Sequence, residues 1–447
     1  MGAEPGAGAA RGSKEIRGKA LASTAMVRVV TLVISGVPTV LAWALMSRRL
    51  DASDFAAVSL AVSLPTVSSF VLPAMGARIA NSVALSPEAF HDAISRSLRT
   101  CLMGAALLTG LSVGLSWIGW SRLLGRDQPD AFPMDFAVIF VSISMGLWIV
   151  LLIGDRVLIA MGEVTKRVWA SSVTGPASLL GVLLVGAFDG PPWAYVFPVP
   201  CAMLLAALSS LLMAARLPGV SLRSLYADAR RRPSDRFGRS TLTLWLIVVE
   251  GALILPVWLL RPVQSVHGTD RDVAALSVAL QLGAPAFSIV AVLGQALWPF
   301  YARNRLSLGR RDVLRHCVTM AAVSSALGAA YAVSLWALVQ VGFVGHGPGV
   351  AVLAAMALYI AADGAWQPAR IVFSTDQTVR RLAALCVATC AAAIVALWFL
   401  SDIGHGSLAV VAVSAALLAN TILSTLGLTV HLHRRAKDGD GVQTRRP

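Results

Sequence analysis

Two carboxylates stand in the middle of long apolar stretches, where a charged side chain is costly. Glu250 lies within residues 241–260 and Asp363 within residues 350–373, and each is followed directly by a glycine. A charge at the centre of a membrane-spanning helix costs roughly 2.5–3.5 kcal/mol on insertion scales, so such a residue tends to face a cavity or a partner. Burial also favours the protonated form of a carboxyl group. One hypothesis is that both residues bind H⁺ or Na⁺ and couple transport to an ion gradient. The other is a static hydrogen bond between helices.

Basic and amide side chains also fall within the apolar stretches or at their ends. Arg28 lies about one turn into the first stretch, and Arg78 and Arg370 lie near the ends of the second and the tenth. A planar guanidinium donates two parallel hydrogen bonds to a phosphate, which makes these three residues candidates for binding a diphosphate. Their long side chains can instead reach the lipid headgroups. Intramembrane amides have two possible roles here, which are to form contacts between helices or to line a polar cavity. The four amides concerned are Gln281, Gln295, Gln367 and Asn420.

The elements that position these side chains are predicted to be transmembrane helices. Hydrophobic residues make up 57% of the chain and charged residues 13%, with a mean hydropathy of +0.73. About 20 residues at ~1.5 Å per residue cover a hydrocarbon layer of ~30 Å. This pattern predicts an all-α integral membrane protein with twelve spans, at residues 24–46, 55–76, 99–120, 135–154, 168–188, 194–215, 241–260, 273–297, 316–340, 350–373, 382–400 and 407–430.

The basic residues predict how these spans are oriented. Of the 37 Lys and Arg residues, 30 lie on one side: in the two tails, in the loops after even-numbered spans, or, for Arg99 and Arg370, at the span ends that border those loops. Another 6 lie in the other loops, and Arg28 lies inside span 1. Positive charge concentrates on the cytoplasmic side, so both termini are predicted to be cytoplasmic. The net charge of +14 is interpreted as this signal together with attraction to anionic lipid, rather than as nucleic-acid binding. Arg outnumbers Lys 33 to 4, which favours a bacterial source. The expected location is the bacterial cytoplasmic (inner) membrane.

The two halves of the chain resemble each other. Residues 54–64 and 272–282 open spans 2 and 8, and six of their eleven positions are identical. Arg156, after span 4, is equivalent to Arg370, near the end of span 10, when the two halves are aligned. Six spans per half is an even number, which predicts a parallel repeat with a pseudo-two-fold axis along the membrane normal. The predicted division is a tail at 1–23, a six-helix lobe at 24–215, a basic linker at 216–240, a second lobe at 241–430 and a tail at 431–447.

Two short motifs resemble those of a known transporter family. Residues 48–55, RRLDASDF, resemble the R-x-L-G-x-x-D-F opening of lipid-linked oligosaccharide flippases, and residues 295–301, QALWPFY, resemble their Q-A-L-W-P-x-Y stretch. The chain is thus similar to the polysaccharide branch of the multidrug/oligosaccharidyl-lipid/polysaccharide (MOP) exporter superfamily. The resemblance implies a V-shaped, MATE-like fold whose cationic cavity binds the diphosphate of a polyprenyl-linked saccharide. It also implies that Arg28 contacts that diphosphate, with Arg78 and Arg370 plausible by position.

The function expected from this resemblance is secondary transport of a polysaccharide precursor to the outer leaflet by alternating access. Expected partners are the lipid-linked saccharide, anionic membrane lipids, H⁺ or Na⁺ and polysaccharide-assembly proteins, with no cofactor and no metal site. A cation-coupled multidrug antiporter of related fold is the first alternative, and another twelve-helix secondary transporter is the second. A membrane enzyme such as a glycosyltransferase is disfavoured because the predicted outer loops are at most about 13 residues long.

Overall fold

The computed structural model describes residues 30, 33–63, 79, 87–124, 132–221, 223–225, 227, 241–304, 310–373, 378–403 and 406–443. Regular structure in this part of the chain is helical. The first lobe contains α1 (33–49), α2 (Ala52–Ser63), α3 (Pro87–Ser116), α4 (Met134–Leu151), α5 (Ile153–Ala160), α6 (Val164–Ser172), α7 (Thr174–Ala187) and α8 (Pro198–Ala214). The second lobe contains α9 (Thr241–His267), α10 (Asp270–Leu282), α11 (Ala284–Asn304), α12 (Arg310–Gln340), α13 (Val350–Phe373), α14 (Thr378–Asp402) and α15 (Gly406–Gln443).

Ten helical stretches in the described residues are long and apolar enough to cross a membrane, and they correspond to predicted spans 3 to 12. Predicted spans 1 and 2 are described in part, as α1 and the 12-residue helix α2. The chain is therefore a multi-pass membrane protein. The helix of span 3 begins earlier than predicted, at Pro87, and α15 continues to Gln443, past the predicted end of span 12 at residue 430.

Proline residues lie close to a break in one span and inside the helices of two others. Span 8 divides into α10 and α11 at Gly283, two residues before Pro285. Pro256 and Pro262 lie inside α9, and Pro368 lies inside α13. A proline inside a helix lacks the N–H that would bond to the carbonyl four residues earlier, so these positions are points at which the helices can bend.

Within each lobe the helices form a packed bundle. In the first lobe α3 packs on α4, and α8 packs on α4, α5 and α7. In the second lobe α12 packs on α13, α13 on α15, and α14 on both α9 and α15. The connection between the lobes, predicted at 216–240, is described only up to residue 227.

The two lobes meet through the pair of helices that the repeat relates to each other. Helix α2 of the first lobe packs against α10 of the second, and both contribute buried residues to one large apolar core. Next to this contact the backbone N–H of Gly345 donates to Ser47 Oγ at 3.2 Å, and His346 Nε2 donates to the Leu50 carbonyl at 3.0 Å. The Phe55 and His346 rings lie 5.7 Å apart. These contacts lie at the end of the bundle predicted to face outward, which we call the predicted outer end.

Candidate functional site

The two candidate groups Glu250 and Arg370, which lie on different helices, form an ion pair. Arg370 Nη2 on α13 lies 2.5 Å from Glu250 Oε1 on α9. The Glu250 side chain is 7% exposed and the Arg370 side chain 26%. The pair joins two helices inside the second lobe. A predicted ion-binding carboxylate and a predicted diphosphate-binding arginine therefore neutralise each other in this conformation.

Asp363, the second candidate carboxylate, belongs to the same cluster. Gln367 Nε2, one turn along α13, donates to Asp363 Oδ1 at 2.9 Å. Asp363 also lies within electrostatic range of Arg370 and Glu250. Among the described residues no cation lies within ion-pair distance of it. With all three groups ionised, two carboxylates and one guanidinium give the cluster a formal net charge of one unit negative.

The surroundings of this cluster are apolar and tightly packed. Trp366, Leu382, Cys386 and Leu417 are buried beside it on α13, α14 and α15. An uncompensated charge in such a setting is stabilised poorly, because the low local dielectric removes most of the solvation that water would provide. The cluster therefore has the chemistry of a site for one small cation, H⁺ or Na⁺.

Close helix packing connects the cluster with neighbouring spans. A Cβ atom added at Gly294 on α11 would lie 2.7 Å from Gln367 Oε1, so the backbone of span 8 runs directly against the amide that bonds Asp363. A Cβ atom added at Gly364 would collide with Ser324 of α12. Movement of α11 or α12 would therefore change the immediate surroundings of Asp363.

The remaining candidate amides have different environments. Asn420 on α15 accepts a hydrogen bond from Thr389 Oγ1 on α14 at 2.8 Å, which is an interhelical contact. Gln281 is half-buried on α10, the helix that packs against α2. Gln295 lies on α11, but its side chain is outside the described residues, as are Arg28 and Arg78 altogether. The structure therefore brings together Glu250, Asp363, Gln367 and Arg370.

The first lobe has a charged cluster that the sequence interpretation missed. Arg167 Nε donates to Asp155 Oδ1 at 2.8 Å, and Arg156 Nε lies 3.8 Å from Asp155 Oδ2. Arg156 is the residue that the internal repeat matches to Arg370. Here two arginines share one carboxylate, which leaves a net positive charge where the second lobe has a net negative one. Asp155 and Arg156 follow predicted span 4 directly, and these two adjacent charges were the available signal.

A separate cavity lies at the predicted outer end of the first lobe. It has a volume of about 420 Å³ and is lined by Arg49, Leu50, Gly186, Asp189, Gly190, Pro192 and Tyr195. None of the clustered candidate residues lines it.

Comparison with known proteins supports the fold. No family model matches the chain, and no curated protein matches it. Among solved structures, lipid II flippase MurJ in an inward closed conformation is similar over 90% of this chain and 87% of its own, with a TM-score of 0.61 and 14% identity.

A MATE protein in complex with MaD3S is similar over 91% of this chain and 96% of its own, with a TM-score of 0.55 and 13% identity. MATE in complex with MaL6 gives a TM-score of 0.50 at 12% identity, over 91% and 97% of the two chains. These neighbours are transporters of the MOP superfamily. The chain has their twelve-helix fold.

Proposed function

We propose that this protein is a secondary transporter that moves a polyprenyl-diphosphate-linked saccharide across the cytoplasmic membrane by alternating access. The observation that carries the proposal is the cluster of the buried Glu250 with the half-buried Asp363 and Arg370, whose formal net charge is one unit negative. A multi-pass protein that retains uncompensated charge inside its helices does so at a cost, and such residues usually mark ion or substrate pathways. The fold shared with a lipid II flippase supports a lipid-linked substrate.

In this proposal Asp363 is the group that receives the coupling cation. Its hydrogen-bond donor is the neutral amide of Gln367, whereas the partner of Glu250 is the charged guanidinium of Arg370. Binding H⁺ or Na⁺ at Asp363 brings the cluster to neutrality and removes the electrostatic cost of the extra negative charge. Because Gln367 lies directly against Gly294, binding of a cation at Asp363 can change how α11 packs on α13.

Arg370 connects the cation with the substrate. Its guanidinium is 26% exposed, whereas Glu250, its partner, is 7% exposed. Transfer of a cation to the carboxylates weakens the hold of Glu250 on Arg370 and leaves guanidinium N–H donors for a diphosphate. Arg28 and Arg78 complete the proposed diphosphate set, and the two lobes rock about the contact between α2 and α10.

A cation-coupled multidrug antiporter is the second candidate function. The similarity to MATE structures and the net negative cluster favour it, because a cationic drug would be attracted by uncompensated carboxylates. The two candidates differ in the charge of the transported molecule, which makes them separable by experiment.

The test uses purified protein reconstituted into liposomes that contain a fluorescent polyprenyl-diphosphate saccharide. Flipping is measured as the fraction of fluorophore that an external quencher reaches, with and without a Na⁺ or proton gradient. We expect gradient-dependent flipping, at least tenfold slower in Asp363→Asn and unchanged in Asp312→Asn, an exposed carboxylate of the same lobe. Gradient-driven movement of ethidium without any flipping would overturn the flippase proposal in favour of the antiporter.

A further inference from the structure

The cavity at the predicted outer end of the first lobe carries two opposite charges that do not pair with each other. Arg49 and Asp189 both line this space of about 420 Å³, and among the described residues neither side chain has an ion pair or a hydrogen bond. The volume lies in the range that small-molecule sites occupy. Opposite charges held apart on the walls of one cavity suit a ligand that carries both charges itself.

The guanidinium of Arg49 lies directly against the end of α7. A Cβ atom added at Gly186, in the last turn of this helix, would collide with Nη1 of Arg49. The C-terminal end of a helix carries partial negative charge, which favours a cation there. The fold thus accounts for the position of Arg49, and its N–H donors on the cavity wall remain available for the oxygens of a phosphate.

Asp189 stands where the fold does not favour it. Its φ is 48°, in the left-handed region that residues other than glycine rarely adopt. The N–H of Gly190 donates to the Val185 carbonyl at 2.8 Å, which is the helix-ending pattern whose left-handed residue is usually glycine. The carboxylate also lies at the negative end of α7, where an acid is disfavoured. The helix end does not explain this acid, whereas a cationic group bound in the cavity does.

Tyr195 adds a third polar group to the cavity wall. It belongs to the short 3₁₀ helix Pro192–Val196, and only 4% of its surface is exposed. Its hydroxyl has no hydrogen-bond partner among the described residues, yet it is not one of the fully buried unpaired atoms. Because Tyr195 lines the cavity, its hydroxyl opens into that space. A buried ring with an accessible hydroxyl offers a ligand a hydrogen bond at a fixed position.

The cavity lies at the depth where lipid headgroups are expected. The membrane-spanning part of α7 ends at Ala187, between two residues that line the cavity, Gly186 and Asp189. Leu184 and Phe188, in the same last turn, are exposed apolar side chains. A headgroup in the cavity can therefore leave its acyl chains along the exposed apolar face of α7.

We propose that this cavity binds the phosphoethanolamine headgroup of a membrane lipid, with its phosphate on Arg49 and its ammonium on Asp189. A quaternary amine lacks the N–H donors that the carboxylate requires, and an anionic headgroup leaves the carboxylate without a partner. Leu50, which also lines the cavity, accepts the bond from His346 of the second lobe, so the bound headgroup adjoins the contact between the lobes. The site is separate from the cluster proposed for transport, and its tests require no transport.

The first test measures binding of water-soluble, short-chain lipids to the detergent-solubilised full chain by microscale thermophoresis. We expect saturable binding of dihexanoyl-phosphatidylethanolamine, with clearly weaker binding of the matching phosphatidylcholine and phosphatidylglycerol. Arg49→Gln should weaken it roughly tenfold, as the loss of a hydrogen bond from a charged group predicts. Arg122→Gln, which removes an exposed arginine at the predicted outer end of the same lobe, should leave it unchanged. Equal affinities for the three lipids would overturn the proposal.

The second test uses Asp189→Gly, which separates binding from folding. Glycine suits the left-handed position at the end of α7, so this variant should unfold at the same temperature as the wild type or a higher one. It should nevertheless bind the phosphatidylethanolamine roughly tenfold more weakly and lose the preference for it over phosphatidylglycerol. A stable Asp189→Gly protein with wild-type affinity and preference would overturn the proposal.

A third measurement distinguishes a lipid from a soluble molecule of the same chemistry. Free O-phosphoethanolamine carries both charges but no acyl chains. We expect it to compete with the short-chain phosphatidylethanolamine and to bind more weakly, because it gains nothing from the apolar face of α7. Saturable binding of free O-phosphoethanolamine together with no binding of the lipid would overturn the assignment to a membrane lipid.

Discussion

Arg370 reaches Glu250 with its Nη2 atom 2.5 Å from Oε1, and this contact joins two helices whose charges the sequence suggests for different roles. The arginine was a candidate for the substrate diphosphate and the glutamate a candidate for the coupling cation. Because they pair with each other in the conformation described here, each occupies the charge that the other would offer to a ligand. Any ligand that binds one of them has to compete with the other, which is a simple physical basis for coupling a cation to an anionic substrate.

The pair predicts a strong, non-additive effect on stability. Arg370→Gln leaves Glu250 and Asp363 without a cation among apolar helices, and we expect it to lower the free energy of unfolding by about 3–5 kcal/mol. Glu250→Gln leaves Arg370 within electrostatic range of Asp363 and should cost less, and the double variant, which removes one of the two carboxylates, should be more stable than Arg370→Gln alone. Unfolding of the four proteins in detergent, compared as a double-mutant cycle, measures the coupling directly. Losses that simply add would show that the contact contributes nothing.

The packing of α12 on α13 predicts that Gly364 is intolerant of a side chain. A Cβ atom there would collide with Ser324, so Gly364→Ala should lower the free energy of unfolding by about 1–3 kcal/mol. Gly427→Ala is the matched control, since Gly427 lies on the apolar helix α15 and has open space around its Cα. The difference in thermal midpoint between the two variants is the measurement. A Gly364→Ala protein as stable as Gly427→Ala would mean that the two helices are less closely packed.

The contact of α1 with α11 predicts a crosslink that stops transport. A Cβ atom added at Gly36 on α1 would lie 3.6 Å from Pro285 Cβ on α11, a separation that a disulfide can bridge. Alternating access requires the two lobes to move relative to each other at this contact. In a background without the five native cysteines, oxidised Gly36→Cys/Pro285→Cys should lose transport and regain it on reduction. The two single-cysteine variants serve as controls. Full transport by the oxidised double variant would exclude separation of the lobes here.

The sequence predicted the fold well because hydropathy is a local property. Spans 3 to 12 and the fold class are confirmed. The match between residues 54–64 and 272–282 pointed to the helices α2 and α10, which pack against each other in the structure. These signals depend on neighbouring residues and on similarity between halves, and neither requires knowledge of helix rotation.

The partners of the intramembrane charges could not be predicted in the same way. Glu250 and Arg370 lie on helices separated by several spans, and whether they meet depends on how each helix is rotated and tilted within the lobe. Asp363 and Gln367 are an exception, because a spacing of four residues already places them on one helix face.

The central claim is that Asp363 receives the cation that drives transport, and its most direct test is the ion dependence of Asp363→Asn in proteoliposomes. Asparagine keeps an oxygen to accept the hydrogen bond from Gln367, so the variant should fold while losing the negative charge. We predict that wild-type flipping accelerates when a Na⁺ or proton gradient is imposed and that flipping by Asp363→Asn is slow and independent of either gradient. A variant that responds to the gradient as strongly as the wild type would contradict the account.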